Sequence, residues 1–152
     1  MTKASIFIYL FMEEEIINRI RTFNRFYVRV LGVLDSSIMH SGYSLTEAHI
    51  LNVIHNKPGS TATKINEDLH LDEGYLSRTI KKLEGKKLIR REQSETDKRK
   101  YIMSLTARGK EEYAKIDELS SNQVKDTLKH ISANEKLELA ELMERIKALI
   151  SS

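Results

Sequence analysis

Ile16, Ile20, Phe23, Tyr27, Val30 and Leu34 recur at steps of three and four residues. That spacing is one stripe of an amphipathic helix, and it predicts a helix from residue 12 to about 40, closed by Gly42. Ser44 with Glu47 fits a capping box and opens a short helix holding Ile50, Leu51 and Ile54. Lys57-Pro58-Gly59 is a turn. Thr61 or Thr63 then caps a short helix running to Leu69, with Ile65 and Leu69 as its apolar positions.

The most informative stretch is Leu69 to Gly109. Asp72 offers an N-cap acceptor, and Leu76, Ile80 and Leu83 follow on one stripe at about 100° per residue. The opposite face carries Gly74, Arg78 and Lys81, flanked by Ser77 and Lys82. Two short helices at this spacing form a helix-turn-helix. A short strand, a charged turn from Gln93 to Lys100 and a second strand follow. In that second strand Tyr101, Met103 and Leu105 alternate with Lys100, Ile102 and Ser104, the period-2 signature. Thr106 caps a further helix with Tyr113, Ile116, Leu119, Val124 and Leu128 on its stripe. Ser132 with Glu135 is a second capping box. It opens a last helix holding Leu139, Leu142, Met143, Ile146, Leu149 and Ile150.

Charge changes the picture. Residues 78 to 110 hold twelve Lys and Arg against four acids, a net +8, whereas the whole chain is +3, leaving −5 elsewhere. Basic charge gathered on a helix and a β-hairpin of an otherwise acidic protein is the electrostatic footprint of a nucleic-acid reader. Interleaved aromatics for stacking bases are missing from this face, where Tyr75 and Tyr101 stand alone, so duplex DNA is favoured over RNA.

Other chemistry is not signalled. The chain has no Cys, hence no disulfide framework, thiolate metal site or cysteine redox sensor. The five histidines, at 40, 49, 55, 70 and 130, make no metal-ligand pattern, and no metal or cofactor is expected. His40 is read as a structural or surface histidine rather than as part of a ligand pocket. The isolated glycines form no phosphate-cradling loop, and no nucleophile is paired with a base, so no catalytic residue is expected. Ile6 to Met12 is apolar but far short of the roughly 20 residues that span a bilayer. It runs into Glu13-Glu14-Glu15 without a cleavage site, so no membrane association is expected and the location is read as cytoplasmic.

Asp97-Lys98-Arg99 in a loop, followed by Tyr101-Ile-Met-Ser-Leu-Thr-Ala-Arg-Gly109, resembles the D-x-R wing and "LT..G" helix start of the multiple-antibiotic-resistance regulator (MarR) family. Leu83-Glu-Gly-Lys-Lys-Leu-Ile-Arg-Arg91 is similar to the family's recognition-helix exit and first wing strand. One departure is that Gly85 precedes Lys86-Lys87, whereas the family often places its glycine later. Residues 1 to 11 precede a more usual family start at Met12 and read as an extension. The resemblance implies a bacterial regulator, usually a repressor, often released by a small anionic aromatic ligand bound between a helical dimer arm and the winged domain.

The expected fold is therefore mainly α with a small β-wing. Residues 1–40 form an extension and dimerisation helix, 41–105 a winged helix-turn-helix domain, and 106–152 C-terminal dimerisation helices. The first and last helices carry more apolar surface than the small winged core can cover, and a homodimer with a pseudo-palindromic DNA site uses it. The expected DNA contacts are Thr61, Thr63, Gly74, Tyr75, Ser77, Arg78, Lys81, Lys82, Asp97, Lys98, Arg99 and Lys100. Arg78 and Lys81 face outward to read bases, and Lys82 on the flank meets phosphate. Asp97 holds either the Arg99 guanidinium or the turn, and the resemblance makes Arg99 the side chain inserted in the minor groove. The rival reading is a winged-helix protein-interaction module whose basic face binds acidic partners.

Overall fold

The computed structural model describes residues 3–30 and 41–151, with side chains from residue 11 onward. Among these residues there are six helices and a two-stranded antiparallel sheet, in the order α1 (Lys3–Val30), α2 (Leu45–Asn56), α3 (Ala62–Leu69), α4 (Glu73–Gly85), β1 (Ile89–Gln93), β2 (Tyr101–Leu105), α5 (Ala107–Thr127) and α6 (Ala133–Ile150). This is a winged helix. The chain divides into two compact units, Met1–Thr46 and Glu47–Ser152.

In the first unit, α1 begins nine residues earlier than the apolar stripe predicts, so the N-terminal extension is helical from Lys3. Its far end was expected near residue 40. Leu34 and His40 lie outside the described residues, as does the stretch from 31 to 40. The stripe itself is present, and Ile16, Ile20 and Phe23 are about half exposed. Phe23 stacks on Tyr27 with ring centroids 5.6 Å apart, as residues one turn apart on a helix can.

The second unit is built around a winged core. Ile50, Leu51, Ile65, Leu83 and Leu88 are fully buried, and Leu76, Ile80, Ile89, Met103, Leu105, Tyr113 and Ile116 close around them. Each such side chain contributes about 1.5–3 kcal/mol by leaving water. The Tyr113 hydroxyl accepts from Asn52 Nδ2 at 3.1 Å, and its ring stacks on His55 with centroids 4.3 Å apart. Both contacts tie α5 to α2.

Caps fix the helix ends. Thr61, not Thr63, caps α3, accepting from the Lys64 amide at 3.3 Å. His70 ends that helix in the left-handed conformation at φ 48, and Asn66 Oδ1 accepts the Leu71 amide at 2.8 Å. Asp72 Oδ1 then accepts from Tyr75 N at 2.8 Å and opens α4. Gly85 is the last residue of α4, but the reversal falls on Lys87, at φ 59. The Leu88 amide reaches back to the Leu83 carbonyl at 3.0 Å and the Lys87 amide to Glu84 at 2.8 Å. That is the Schellman pattern, here with lysine in the position glycine usually takes.

Sheet register pairs Ile89 with Leu105 and Gln93 with Tyr101. Ser60 adds an isolated bridge to Met103, whose amide donates to the Ser60 carbonyl at 2.8 Å. Met103 and Leu105 point into the core as the alternation predicts, but Tyr101 is 44% exposed. It stands at the outer end of the strand, beyond the reach of the core.

The second capping box forms in full. Ser132 Oγ accepts from Glu135 N at 3.3 Å, and Glu135 Oε2 accepts from Ser132 N at 2.7 Å. The Ser132 hydroxyl, which also donates to Glu135 Oε2 at 2.7 Å, and then the Ser132 amide hold the Glu135 carboxyl below the ordinary carboxylate range. The ionised cap is therefore complete above that range, and its contribution is lost as pH falls through the lowered value. Yet α6 itself buries no residue, and Leu142, Met143 and Ile146 are 50%, 37% and 43% exposed. On α5, Leu119 and Val124 are likewise exposed, at 36% and 52%.

Candidate nucleic-acid interface

The local sequence of α4 sets its two faces. Leu76, Thr79, Ile80 and Leu83 are buried, and the Thr79 hydroxyl is satisfied by the Tyr75 carbonyl at 2.9 Å. Residues a half-turn away must then face outward. Gly74, Ser77, Arg78 and Lys81 are all exposed, and Tyr75 is 39% exposed. The Arg78 and Lys81 side chains make no hydrogen bond or ion pair among the described residues. Two cations held out on a rigid helix without a partner are available to an anionic surface.

Thr61 and Thr63 sit at the start of α3 in the same unit. Thr63 is exposed and, with Asn66, Ser77 and Arg91, lines an open cleft of about 560 Å³ between α3, α4 and the wing. The structure therefore brings Thr63 and Ser77 to one concavity. Thr61 is occupied as the α3 cap.

The wing is held by its own polar side chains. Asp97 Oδ1 accepts the Arg99 amide at 3.0 Å, and the Asp97 carbonyl accepts the Lys100 amide at 2.9 Å. Gln93 Nε2 donates to the Lys98 carbonyl at 2.6 Å. The Asp97 amide donates to Ser94 Oγ at 3.3 Å. Of the two duties expected for Asp97, the structure shows the turn. Its carboxylate also stands 3.7 Å from Lys100 Nζ. The side chains of Lys98 and Arg99 have no partner among the described residues, so the tip presents two uncommitted cations on a pinned turn.

Lys82, expected from the sequence to meet phosphate, has a carboxylate beside it. Its Nζ lies 3.3 Å from Glu47 Oε1 on α2, and Lys86 Nζ lies 3.0 Å from the same oxygen. Glu47 is 2% exposed. Sequence reasoning assigned it to a cap and missed this role. The signal was present, because Glu47 stands three, four and seven residues before Ile50, Leu51 and Ile54. A carboxylate on the buried stripe of a helix requires cations from elsewhere. Arg90 and Arg91 were also missed as individual residues. Arg90 Nε donates to Ser104 Oγ at 2.9 Å and lies 3.2 Å from Glu92. The Arg91 guanidinium lies 4.7 Å from the centre of the Tyr101 ring, a cation–π distance that gives the exposed Tyr101 its contact.

Among the described residues no group of His, Asp and Glu could hold a metal ion, and no helix is long and apolar enough to cross a membrane.

Comparison with known proteins bears on this arrangement. The sequence pattern of the MarR family matches residues 43–101. The chain is 29% identical over 111 residues to the HTH-type transcriptional regulator BilQ of Clostridium symbiosum (strain WAL-14163), covering 73% of this chain and 77% of that one. It is 30% identical to a MarR/EmrR family transcriptional regulator from Acinetobacter sp. ADP1, whose crystal structure superposes with a TM-score of 0.71 over 89% of this chain and 97% of that one. The fold is also that of Streptococcus pneumoniae FabT, solved in complex with DNA, at a TM-score of 0.74 and 21% identity over 89% of this chain and 97% of that one.

Proposed function

The chain belongs to the MarR family of transcriptional regulators, and from that premise we propose that it is a homodimeric repressor of the bacterial cytoplasm that binds a pseudo-palindromic double-stranded DNA site and is released by a small, anionic aromatic effector. The observation that carries the DNA reading is the set of uncommitted cations on one unit: Arg78 and Lys81 on the outer face of α4, and Lys98 and Arg99 at the wing tip. The DNA complex of the similarly folded FabT supports it. In this reading α4 enters a major groove, Thr61, Thr63, Gly74, Tyr75 and Ser77 lie along its path, and the wing from Asp97 to Lys100 follows the adjacent minor groove. Residues 1–40 and 106–152 supply the dimer contacts, and 41–105 the DNA-binding domain. The dimer follows from energetics. No residue of α6 is buried, whereas most helical stability in proteins comes from packing of an apolar face, so in this reading a second chain covers it. The test is selection of binding sites from random duplexes by the purified protein, repeated with aromatic carboxylates. An enriched two-fold motif supports the reading, and recovery of no sequence preference would end it.

Two substitutions probe the contacts. Arg pairs bidentately with guanine O6 and N7. Arg78→Ala should therefore cost about 1–3 kcal/mol on the selected site and much less on random DNA. Fluorescence anisotropy on both duplexes checks this, and equal losses would remove Arg78 from base reading.

The wing distinguishes insertion from diffuse attraction. A narrow, A·T-rich minor groove has an enhanced negative potential that attracts Arg. With Arg99 inserted, Arg99→Lys should bind about tenfold more weakly at unchanged charge, because Lys lacks the planar fork. Asp97→Ala should also weaken binding although it removes a negative charge, because it frees the Arg99 amide and loosens the turn. Tighter binding by Asp97→Ala at fixed salt would show that the tip makes only diffuse contacts.

A further inference from the structure

The carboxylate of Glu47 is nearly inaccessible at 2% exposure and lies within 3.0 Å of Lys86 Nζ and 3.3 Å of Lys82 Nζ. A buried carboxylate without cations is costly, and removing one partner of such a group leaves an uncompensated charge. The two lysines are one helical turn apart on the same flank of α4, in line with Arg78 one turn earlier. Glu47 therefore grips the very helix whose outer face carries Arg78 and Lys81. The grip is unequal. The side chain of Lys86 is 34% exposed, and that of Lys82 is 60% exposed at the longer distance.

We infer that Glu47 is a positioning residue for the recognition helix: its buried carboxylate fixes α4 through Lys86 and withholds the charge of Lys82 from the DNA backbone. This rests on the DNA-binding reading above. Two consequences follow from the geometry. The rotation of α4 about its axis, which aims Arg78, is set from α2 rather than by apolar contacts alone. The DNA-facing charge of the domain is smaller than the sequence suggests, because Lys82 is shared with an internal anion. A lysine held in this way favours specificity, since phosphate attraction is the part of binding that ignores sequence.

The test is Glu47→Gln, which keeps the shape and removes the charge. Duplex binding is measured against salt on the selected site and on random DNA. Each freed phosphate contact steepens the dependence of log K on log[salt] by about 0.9. The expected result is a steepening of about 0.9 per protomer and a fall of about tenfold in the ratio of cognate to random affinity, of the size of one weakened bidentate contact. Adding Lys82→Met to Glu47→Gln should restore the wild-type slope. An unchanged slope with equal losses on all duplexes would overturn the inference, because Glu47 would then only stabilise the fold. Urea unfolding of Lys86→Met and Lys82→Met tests the grip without DNA and covers the case in which Glu47→Gln does not fold. Lys86→Met should lower the midpoint more, and an equal or larger fall for Lys82→Met would also overturn it. A wild-type protein that bound no duplex would instead refute the regulator reading, with the order of the urea midpoints still deciding the role of Lys86.

Discussion

Replacing Leu142 and Ile146 together by glutamate should leave a chain that sediments with the mass of one 17.6 kDa protomer rather than two, or does not fold. Both side chains lie on the apolar stripe of α6, at 50% and 43% exposure, beside the half-covered Met143. No residue of α6 is buried. In the proposed dimer a second copy covers this face, in an obligate interface of about 2,000–5,000 Å². Two-fold symmetry presents each substitution twice, so four carboxylates would enter one interface. An unpaired carboxylate in an apolar contact costs several kcal/mol. A total of even 6 kcal/mol, by the same rough measure about four powers of ten in Kd, moves a nanomolar dimer beyond micromolar concentrations. Sedimentation at micromolar protein, with circular dichroism to follow folding, reads the result. A wild-type chain that is folded and monomeric under those conditions would sink the dimer.

Where the sequence was legible, one side of each element met water and the other met the core. The α4 stripe of Leu76, Ile80 and Leu83 is buried as its spacing predicts. Asp72, Thr106 and Ser132 cap the helices they precede, because a cap is a local bond between a side chain and an amide three residues on. Legibility failed where a position depends on something distant in sequence. Tyr101 obeys the alternation of β2 and is still exposed, since strand periodicity gives the face but not how far the core extends beneath it. Glu47 fits a capping box by spacing, and its carboxylate also engages two lysines about 35 to 39 residues away. Lys87 takes the left-handed conformation usually left to glycine, because the Schellman bonds and the buried Leu88 that follows fix the reversal there. The uncommitted state of Arg78, Lys81, Lys98 and Arg99 was legible only as charge, since composition counts cations and does not say which are already paired. Lys82 shows the difference.

Gly109 and Gly85 should respond to the same substitution with opposite signs. Gly85 ends α4 with open space where a Cβ would be. Gly85→Ala should therefore stabilise the domain by about 0.5–1 kcal/mol, the usual gain from removing glycine's conformational freedom in a helix. Gly109 lies in the first turn of α5, where a Cβ would fall on the Leu88 carbonyl oxygen and 2.8 Å from its carbon. That oxygen cannot give way easily. It accepts from the Thr106 amide at 3.0 Å, and the Thr106 hydroxyl lies 2.7 Å from the neighbouring Lys87 carbonyl. The Gly109 amide in turn donates to that hydroxyl at 3.0 Å. The end of α4, the start of β1 and the first turn of α5 thus meet at one carbonyl, and a methyl group there must separate them. Overpacking against backbone costs about 1–3 kcal/mol, and loss of the Thr106 bond adds about 0.5–1.5 kcal/mol. Gly109→Ala should therefore lose about 3 kcal/mol, a large share of the roughly 5–15 kcal/mol that holds a domain of this size, and Tm should fall by about 10 °C. Calorimetry of the two variants side by side measures it. A Gly109→Ala protein as stable as wild type would mean that α5 can shift without disturbing Leu88, and the glycine that ends the "LT..G" signature would then have no packing reason to be there.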